Sequence, residues 1–535
     1  IGETQSLTDL NLSRTSFLPV DMVPLLGAVN RNRSLKRLII NNTYLDEPSC
    51  LQLAHGVSTC PSITVLDLHN NRMGPKGGLI IVSRLDTLGK RLTFLDVSDN
   101  GIGPIASIPI GRALIETECT LKTMYVQGND IMDEGGRYIV KGMKENASLT
   151  DVNLSNNRLT GDVAEIIADV ARGLYIDGKK ISDCQLKRLS VSDNPAIGKT
   201  GAKLIMKAMT SSNFTHVEMA NVGGGPGVGK IIGDHIRDVA LKWIYCDISG
   251  NALSRPGLNE IFWGMRQNRS LRIFKCGDNQ AGSIFGSDSD ALLGHGIALQ
   301  RTITANVIIR ELDISYNSLS SNAMTNLFEG MVENYTIRKL CLRGNFMDDE
   351  AAVSLLNFLK YNNIVDDLDL GENKLGFDCC YSLAEGIGLN RSLKNLALDD
   401  NNLNAAGTAP LAAFVAGLQM NTSMRMLIMD GNKLGSEWGV QISSALARNN
   451  TLVQFSFRDN RLDERAGKCL LKAFTHAPFL LELALSKDEV GDEIWDDFRR
   501  VFMKKRSVID TTYLAYETRL NETNTKILEK YYFED

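Results

Sequence analysis

The stretch NRSLKRLIINNTYL, Asn32–Leu45, has two close copies, NRSLRIFKCGDNQA at Asn268–Ala281 and NRSLKNLALDDNNL at Asn390–Leu403. Each opens on an Asn-x-Ser triplet, which alone reads as an N-glycan acceptor and so as the mark of a secreted chain. The residues that follow argue otherwise. All three copies fit one frame, L-x-x-L-x-L-x-x-N-x-L, with the Leu of NRSL as its first residue and with some apolar and polar exchanges. NASL (Asn146–Leu149), NYTI (Asn334–Ile337) and NTSM (Asn421–Met424) hold the same offset. A glycan has no reason to recur in phase with a hydrophobic frame, whereas a turn before a strand has. The triplet is therefore a register marker.

Along the chain, the Asn position of the frame falls on Thr15, Thr43, Asn71, Asn100, Asn129, Asn157, Asn194, Val222, Asn251, Asn279, Asn317, Asn345, Asn373, Asn401, Asn432, Asn460 and Asp488, which makes seventeen repeats. Most intervals are 28 or 29 residues; Asn157 to Asn194 takes 37, Asn279 to Asn317 takes 38 and Asn401 to Asn432 takes 31. The two long intervals are read as loop insertions, near 171–185 and 281–305. Within a unit, L-x-x-L-x-L puts its leucines on one side of a short strand. The Asn amide can satisfy backbone groups in the turn beyond it. The second half is helical, as in EAAVSLLNFLKYN and APLAAFVAGLQMN, where apolar residues recur at steps of three and four. One unit cannot bury its apolar side alone, so neighbours must stack. Strands repeat about every 4.8 Å, but helices need about 10 Å. The predicted fold is thus an α/β horseshoe over residues 1–490, with a parallel β-sheet on its concave face and α-helices on its convex face. Residues 491–535 are expected to form a capping helix and a tail.

The frame is the leucine-rich-repeat signature. Units of 28–29 residues with a full helix resemble the ribonuclease-inhibitor type, over about residues 5–490. That type also occurs in Ran GTPase-activating proteins, NOD-like receptors, tropomodulins and a subunit of the ciliary dynein regulatory complex. The resemblance is specific for fold and uninformative about function.

Composition fits one elongated domain. Hydrophobic residues make up 43% and charged residues 23%, and the net charge of −5 does not point to nucleic acid. No apolar run reaches the length of a membrane span. The ten cysteines are scattered without a C-x-x-C, and the Cys-rich caps common in secreted leucine-rich repeats are missing. An intracellular location, cytoplasmic or cytoskeletal, is expected. The chain starts at Ile1, almost at once inside a repeat, so a lost targeting segment and an organellar address remain open.

Two stretches resemble a phosphate loop. GGPGVGKI, Gly224–Ile231, matches G-x-x-x-x-G-K but has Ile231 where the magnesium-binding hydroxyl belongs. IGKTG, Ile197–Gly201, has Asp193 where the first Gly belongs. Both are read as Gly-rich turns between strand and helix. The first coincides with Val222 in place of the ladder Asn. The six histidines show no metal spacing, and His69 and His216 fall on the inner strand face five stacking steps apart. No nucleophile elbow, H-E-x-x-H or kinase signature appears. Neither an enzyme nor a cofactor is expected. Ran GTPase-activating proteins have fewer repeats and a strongly acidic C-terminal tail, whereas this chain ends in the mixed NETNTKILEKYYFED.

Function is therefore sought on the concave face, at the positions six, four and two residues before each Asn. These carry thirteen acidic and six basic residues. Asp in the middle of L-D-L is a habit of the repeat family, and without Asp67, Asp96, Asp247, Asp313 and Asp369 the balance is eight against six. Glu311, Asp313, Asp367, Asp369, Asp399 and Asp430 cluster on five consecutive repeats, broken by Lys339 and Arg343. Phe94, Tyr125 and Tyr245 are the aromatic candidates, with Phe94 and Tyr125 on adjacent repeats. The expected function is a non-catalytic scaffold or adaptor that binds one or more proteins, including a partner with a basic segment. No membrane, small-molecule substrate or sequence-specific nucleic acid is expected. The alternatives are a structural subunit of a large assembly, such as an axoneme or an organellar ribosome, and a small-GTPase regulator.

Overall fold

Each frame makes a three-residue strand whose middle residue points inward and whose outer two point away. In Phe94–Asp96, Leu95 is fully buried while Phe94 and Asp96 stay partly exposed, and the same alternation recurs at Leu66, Met124, Val152 and Val217. The computed structural model describes residues 6–505 apart from 14, 16–23, 26, 30, 177–178, 183, 239–240, 281–288 and 407. The chain divides into two compact units, residues 1–285 with 305–317 and residues 286–304 with 318–535. Among the described residues the first unit holds eleven parallel strands of the repeat frame, from Asp9–Asn11 to Glu311–Asp313. The second holds six, from Lys339–Cys341 to Glu482–Ala484. In both, strands line one face and helices the other, which is the leucine-rich-repeat solenoid of seventeen repeats that the frame predicts.

The helices follow from period and caps. In Gly161–Arg172 the buried residues Val163, Ala164, Ile167, Ala168 and Ala171 fall three or four apart, and the Thr160 hydroxyl accepts from Asp162 N. Glycines set how closely helices of successive repeats approach. A Cβ on Gly111 would lie 2.4 Å from the Tyr138 carbonyl, and one on Gly142 would lie 2.5 Å from that of Gly111.

What joins one repeat to the next is side-chain amide. Asn100 Nδ2 donates to Val97 O within its repeat (3.0 Å) and to Leu68 O of the preceding one (2.9 Å), while its Oδ1 accepts from Asn71 N (2.9 Å). Asn129 and Asn157 repeat the pattern. In the second unit Asn345 Oδ1 accepts from Leu319 N (2.9 Å) and Asn373 Oδ1 from Met347 N (3.2 Å). The column loses its amide at Val222, which is fully buried, and Asn251 still receives Val222 N and Gly224 N.

The Asn of each NRSL-type turn forms a second column at the opposite edge. Asn268 Oδ1 accepts from Ser270 N and Leu271 N, and its Nδ2 donates to Ile236 O at the end of the preceding helix (2.8 Å). Asn390 does the same with Ser392 N, Leu393 N and Leu359 O. These amides satisfy helix-end carbonyls that have no partner within their own helix. Asn32, Asn268 and Asn390 are at most 3% exposed.

The last repeat departs from the expected register. Asp488 lies in a short helix, Lys487–Val490, and the carboxylate of its neighbour Glu489 accepts the backbone N–H of Arg461 in the preceding repeat. A longer side chain on a helix thus replaces the ladder amide. Residues 492–505 are helical, and Phe498 stacks on Phe474 at 6.0 Å. The expected tail from 506 onward lies outside the described residues, as does 281–288 of the second insertion. Within 171–185, Leu174–Ile176 pairs antiparallel with Lys179–Ser182.

Two outcomes follow from these columns. Asn345→Leu and Asn373→Leu each strand buried turn groups, and a thermal melt of either variant should show a loss of about 1–3 kcal/mol; unchanged midpoints would contradict the ladder. Intact mass of the protein from its native cell, before and after glycosidase, should reveal no N-glycan at Asn32, Asn268 or Asn390, because a glycosylated amide could not occupy these buried sites.

Candidate binding surface

On the strand face of the first unit, register brings side chains from different repeats into two columns. Phe94 pairs with Thr123, and that column runs on through Asp151, Arg188, His216 and Tyr245; Asp96 pairs with Tyr125, and the second column continues through Asn153, Ser190, Glu218 and Asp247. The rings of Phe94 and Tyr125 meet edge to face, 5.6 Å apart at 79°. Burial of the Tyr125 phenol, reinforced by the negative charge of Asp151, pushes it up to about 12. Arg188 sits between Asp151 (4.0 Å) and Glu218 (2.8 Å). His216 stacks on Tyr245 at 5.9 Å, its imidazole shifted down by burial and by Arg188. Lys275 Nζ lies 5.5 Å from the Tyr245 ring centroid and 3.6 Å from Glu311.

From Phe94 to Tyr245 the result is a tract of aromatic rings and paired charges across six neighbouring strands, about 24 Å long. Phe94, Tyr125 and Tyr245 are candidates from the sequence; His216 and Arg188 are not among them. The signal for both was in the frame, since each occupies the same outward column as Phe94 and Tyr245, but an isolated His or Arg carries no chemistry until its neighbours on the next strands are known.

The acidic candidates fall in both units. Glu311 and Asp313 belong to the first, and Asp367, Asp369, Asp399 and Asp430 to the second. In the second unit they are engaged within the sheet. Arg343 donates a fork to Asp399 (2.6 and 2.7 Å) and reaches Asp369 (3.0 Å) and Glu372 (3.0 Å). Those bonds, that to Asp399 first, raise the guanidinium further above its already high range. Asp367 accepts from Asn395, and Asp430 from the Ser456 hydroxyl and Arg458 N. Burial raises the carboxyls of both Asp367 and Asp430.

The L-D-L habit has a physical cause. Asp96, Asp247, Asp313 and Asp369 each accept, through Oδ1, the backbone N–H two residues on, at 2.9–3.0 Å. Asn153 does so with its amide oxygen at 2.9 Å. These residues shape the turn at the strand's end, so their charge is incidental to that task.

The Gly-rich stretches also have structural work. Gly225, at φ +69°, leads into the helix Pro226–Ile236, and a Cβ on Gly229 would lie 2.6 Å from Gly257 of the next helix. Lys230 is exposed on that helix. All ten cysteines are free thiols, and Cys246 and Cys276 are fully buried in the core. No described helix is long and apolar enough to cross a membrane.

Fold and repeat chemistry together make this chain a leucine-rich-repeat protein of the ribonuclease-inhibitor-like type. A family model described as "Leucine Rich repeat" matches residues 59–81 and 183–206. The chain is 22% identical to the ribonuclease inhibitor of Sus scrofa over 302 residues, 55% of this chain and 60% of that one. It is 20% identical to NACHT, LRR and PYD domains-containing protein 5 of Mus musculus, over 55% of this chain and 26% of that one. It is 31% identical over 144 residues to a protein phosphatase 1 regulatory subunit 37 homolog of Caenorhabditis elegans, 25% of this chain and 15% of that one. The chain thus spans about three fifths of the length of the ribonuclease inhibitors it matches. Among solved structures, the yeast Rad7 and Elc1 complex has a chain with a TM-score of 0.40 and 12% identity, over 84% of this chain and 86% of that one.

Burial of the turn carboxylates has a pH consequence. The Asp247 carboxyl is held above its ordinary 3.8, chiefly by desolvation. The folded state therefore binds this proton more tightly than the unfolded chain does, and the contribution to stability falls as pH rises from 3.8 through the folded value. Asp247→Asn keeps the turn bond, as Asn153 does, and removes the titration. Melts across pH should show the variant gaining on the parent as pH rises through that window, then a constant difference; a constant difference at every pH would mean that Asp247 is not desolvated.

Proposed function

We propose that this protein is a non-catalytic interaction scaffold that holds a protein partner against its strand face. The observation that carries this reading is the tract from Phe94 to Tyr245, where aromatic rings in mutual contact lie partly exposed among charges paired with one another. Partly desolvated aromatic anchors set in a polar surround are the usual source of binding energy at protein interfaces. Scattered surface carboxylates are worth little in comparison. The acidic residues Glu311 and Asp313 in the first unit, and Asp367, Asp369, Asp399 and Asp430 in the second, where Asp369, Glu372 and Asp399 outnumber the one Arg343 they hold, serve as secondary elements whose net negative charge steers a basic segment and raises its association rate more than its affinity. The ribonuclease inhibitor and phosphatase regulatory subunit among the similar proteins support a role exerted on another protein rather than on a small molecule.

A second reading rests on the helix face of the second unit. Val353 is 72% exposed and Tyr361 56%, with Phe377 and Tyr381 about half exposed on the next helix. An outer face this apolar favours a permanent subunit of a large assembly, gripped from the helix side.

A partner isolated from native extract separates the two. With Tyr125→Ala and Tyr245→Ala combined, the scaffold reading expects its affinity to fall at least tenfold, about 1.4 kcal/mol. Asp367→Asn, Asp369→Asn and Asp399→Asn together should slow association at low salt and leave dissociation nearly unchanged. A stable stoichiometric complex that ignores both sets of changes and is lost on Val353→Asp would overturn the strand-face reading in favour of the assembly subunit.

A further inference from the structure

Next to the aromatic tract, the strands Val65–Asp67 and Phe94–Asp96 gather a mixed nitrogen and oxygen donor set. Register pairs Asp67 with Asp96. His69, two residues beyond Asp67, brings its imidazole to both carboxylates: Nδ1 is 2.9 Å from Asp67 Oδ1 and 4.0 Å from Asp96 Oδ2. One donor atom from each residue lies within 4.8 Å of the other two, and among the described residues no other three His, Cys, Asp or Glu are gathered in this way. His69 is also the one histidine in its column of the repeat frame, where Ser is the commonest residue.

The atoms turned away from the centre are held by neighbours. Asn41 Nδ2 donates to Asp67 Oδ2 (3.1 Å), Ser98 N donates to Asp96 Oδ1 (2.9 Å), and His69 Nε2 lies 3.5 Å from the Asn42 amide. Such outer bonds fix ligand orientation at metal centres. The carboxylates are only 17% and 14% exposed, so their mutual repulsion is poorly screened. Burial, with the Asp67 charge added, raises the Asp96 carboxyl. One imidazolium offsets one of the two charges; a divalent cation offsets both.

We propose that Asp67, His69 and Asp96 form a binding site for one divalent cation of the zinc class, with at least one coordination position open toward the strand face. The donor set selects the class. One imidazole nitrogen with two carboxylate oxygens suits zinc and its neighbours in the transition series, whereas calcium and magnesium take six or more oxygens. Tetrahedral zinc at about 2.0–2.2 Å sets its ligands about 3.3 Å apart. The distances of 2.9 and 4.0 Å bracket that value, and small side-chain rotations reach it. Asp96 pairs in register with Tyr125, so the open position borders the tract, and a donor from a docked partner can take the place of water there. The competing account is that His69 and Asp67 are simply a hydrogen-bonded pair at a strand end.

The test is calorimetric titration of the chelator-stripped full chain with zinc, in the parent, His69→Gln, Asp96→Asn and His55→Gln, the last being an exposed histidine on a helix. The expected result is one saturable equivalent in the parent and in His55→Gln, weakened at least tenfold in each of the other two, and not displaced by millimolar magnesium or calcium. Cobalt bound in place of zinc should give a visible spectrum without a thiolate charge-transfer band, which separates this site from the ten cysteines. Melts confirm that the variants fold. No saturable equivalent in the parent, or one that survives both His69→Gln and Asp96→Asn, overturns the proposal. No partner is present in these measurements, so their outcome is independent of the scaffold reading.

Discussion

The turn amide that answers backbone groups of two repeats at once is what the rest of this structure depends on. A three-residue strand and a helix of about a dozen residues cannot bury enough apolar surface to stand alone, and stacking them buries turn groups that water would otherwise satisfy. Asn100 bonds Val97 O in its own repeat and Leu68 O in the one before. The second column, through Asn146, Asn268, Asn334, Asn362, Asn390, Asn421 and Asn449, meets the same demand at the helix ends. With both edges satisfied, the apolar layer between them needs only approximate packing, and leucine, phenylalanine, cysteine and methionine interchange at its inward positions.

The strand face follows from this. A fixed stacking step sets outward side chains of neighbouring repeats within hydrogen-bond or ring-contact distance, so that each responds to residues about 28 positions away rather than to its sequence neighbours. Arg343 bridging Asp369 and Asp399 is the clearest case, because its acids come from the next two repeats. Charges arranged in this way neutralise one another, and a net count of acids over bases overstates the field a partner meets. Aromatic contacts do not cancel in this way, since Phe94 with Tyr125 and His216 with Tyr245 each join rings of adjacent repeats into a larger apolar pair.

Exceptions in the pattern point to places with other demands. Val222 removes one amide from the ladder at the point where three consecutive glycines tighten the turn. Glu489, from a helix, takes over the ladder's task at the last repeat. His69 stands where small polar residues are the rule, and it is there that two carboxylates and an imidazole converge.

The period of the frame was enough to determine the repeat type, the parallel strands, the buried middle residue of every repeat strand between the first and the last, and the task of the NRSL turn, because all of these depend on residues within one unit and on its copies. The aromatic candidates were legible for the same reason, since Phe94 and Tyr125 occupy outward positions on adjacent repeats. Tertiary structure alone decided which charges remain available and which are spent on each other, as at Arg343 and Arg188, and which residue ends the ladder. It also decided that His69, without any metal spacing along the chain, meets donors from two strands. Those facts depend on side-chain reach and direction between repeats, a distance of a few ångströms that no count along the sequence records.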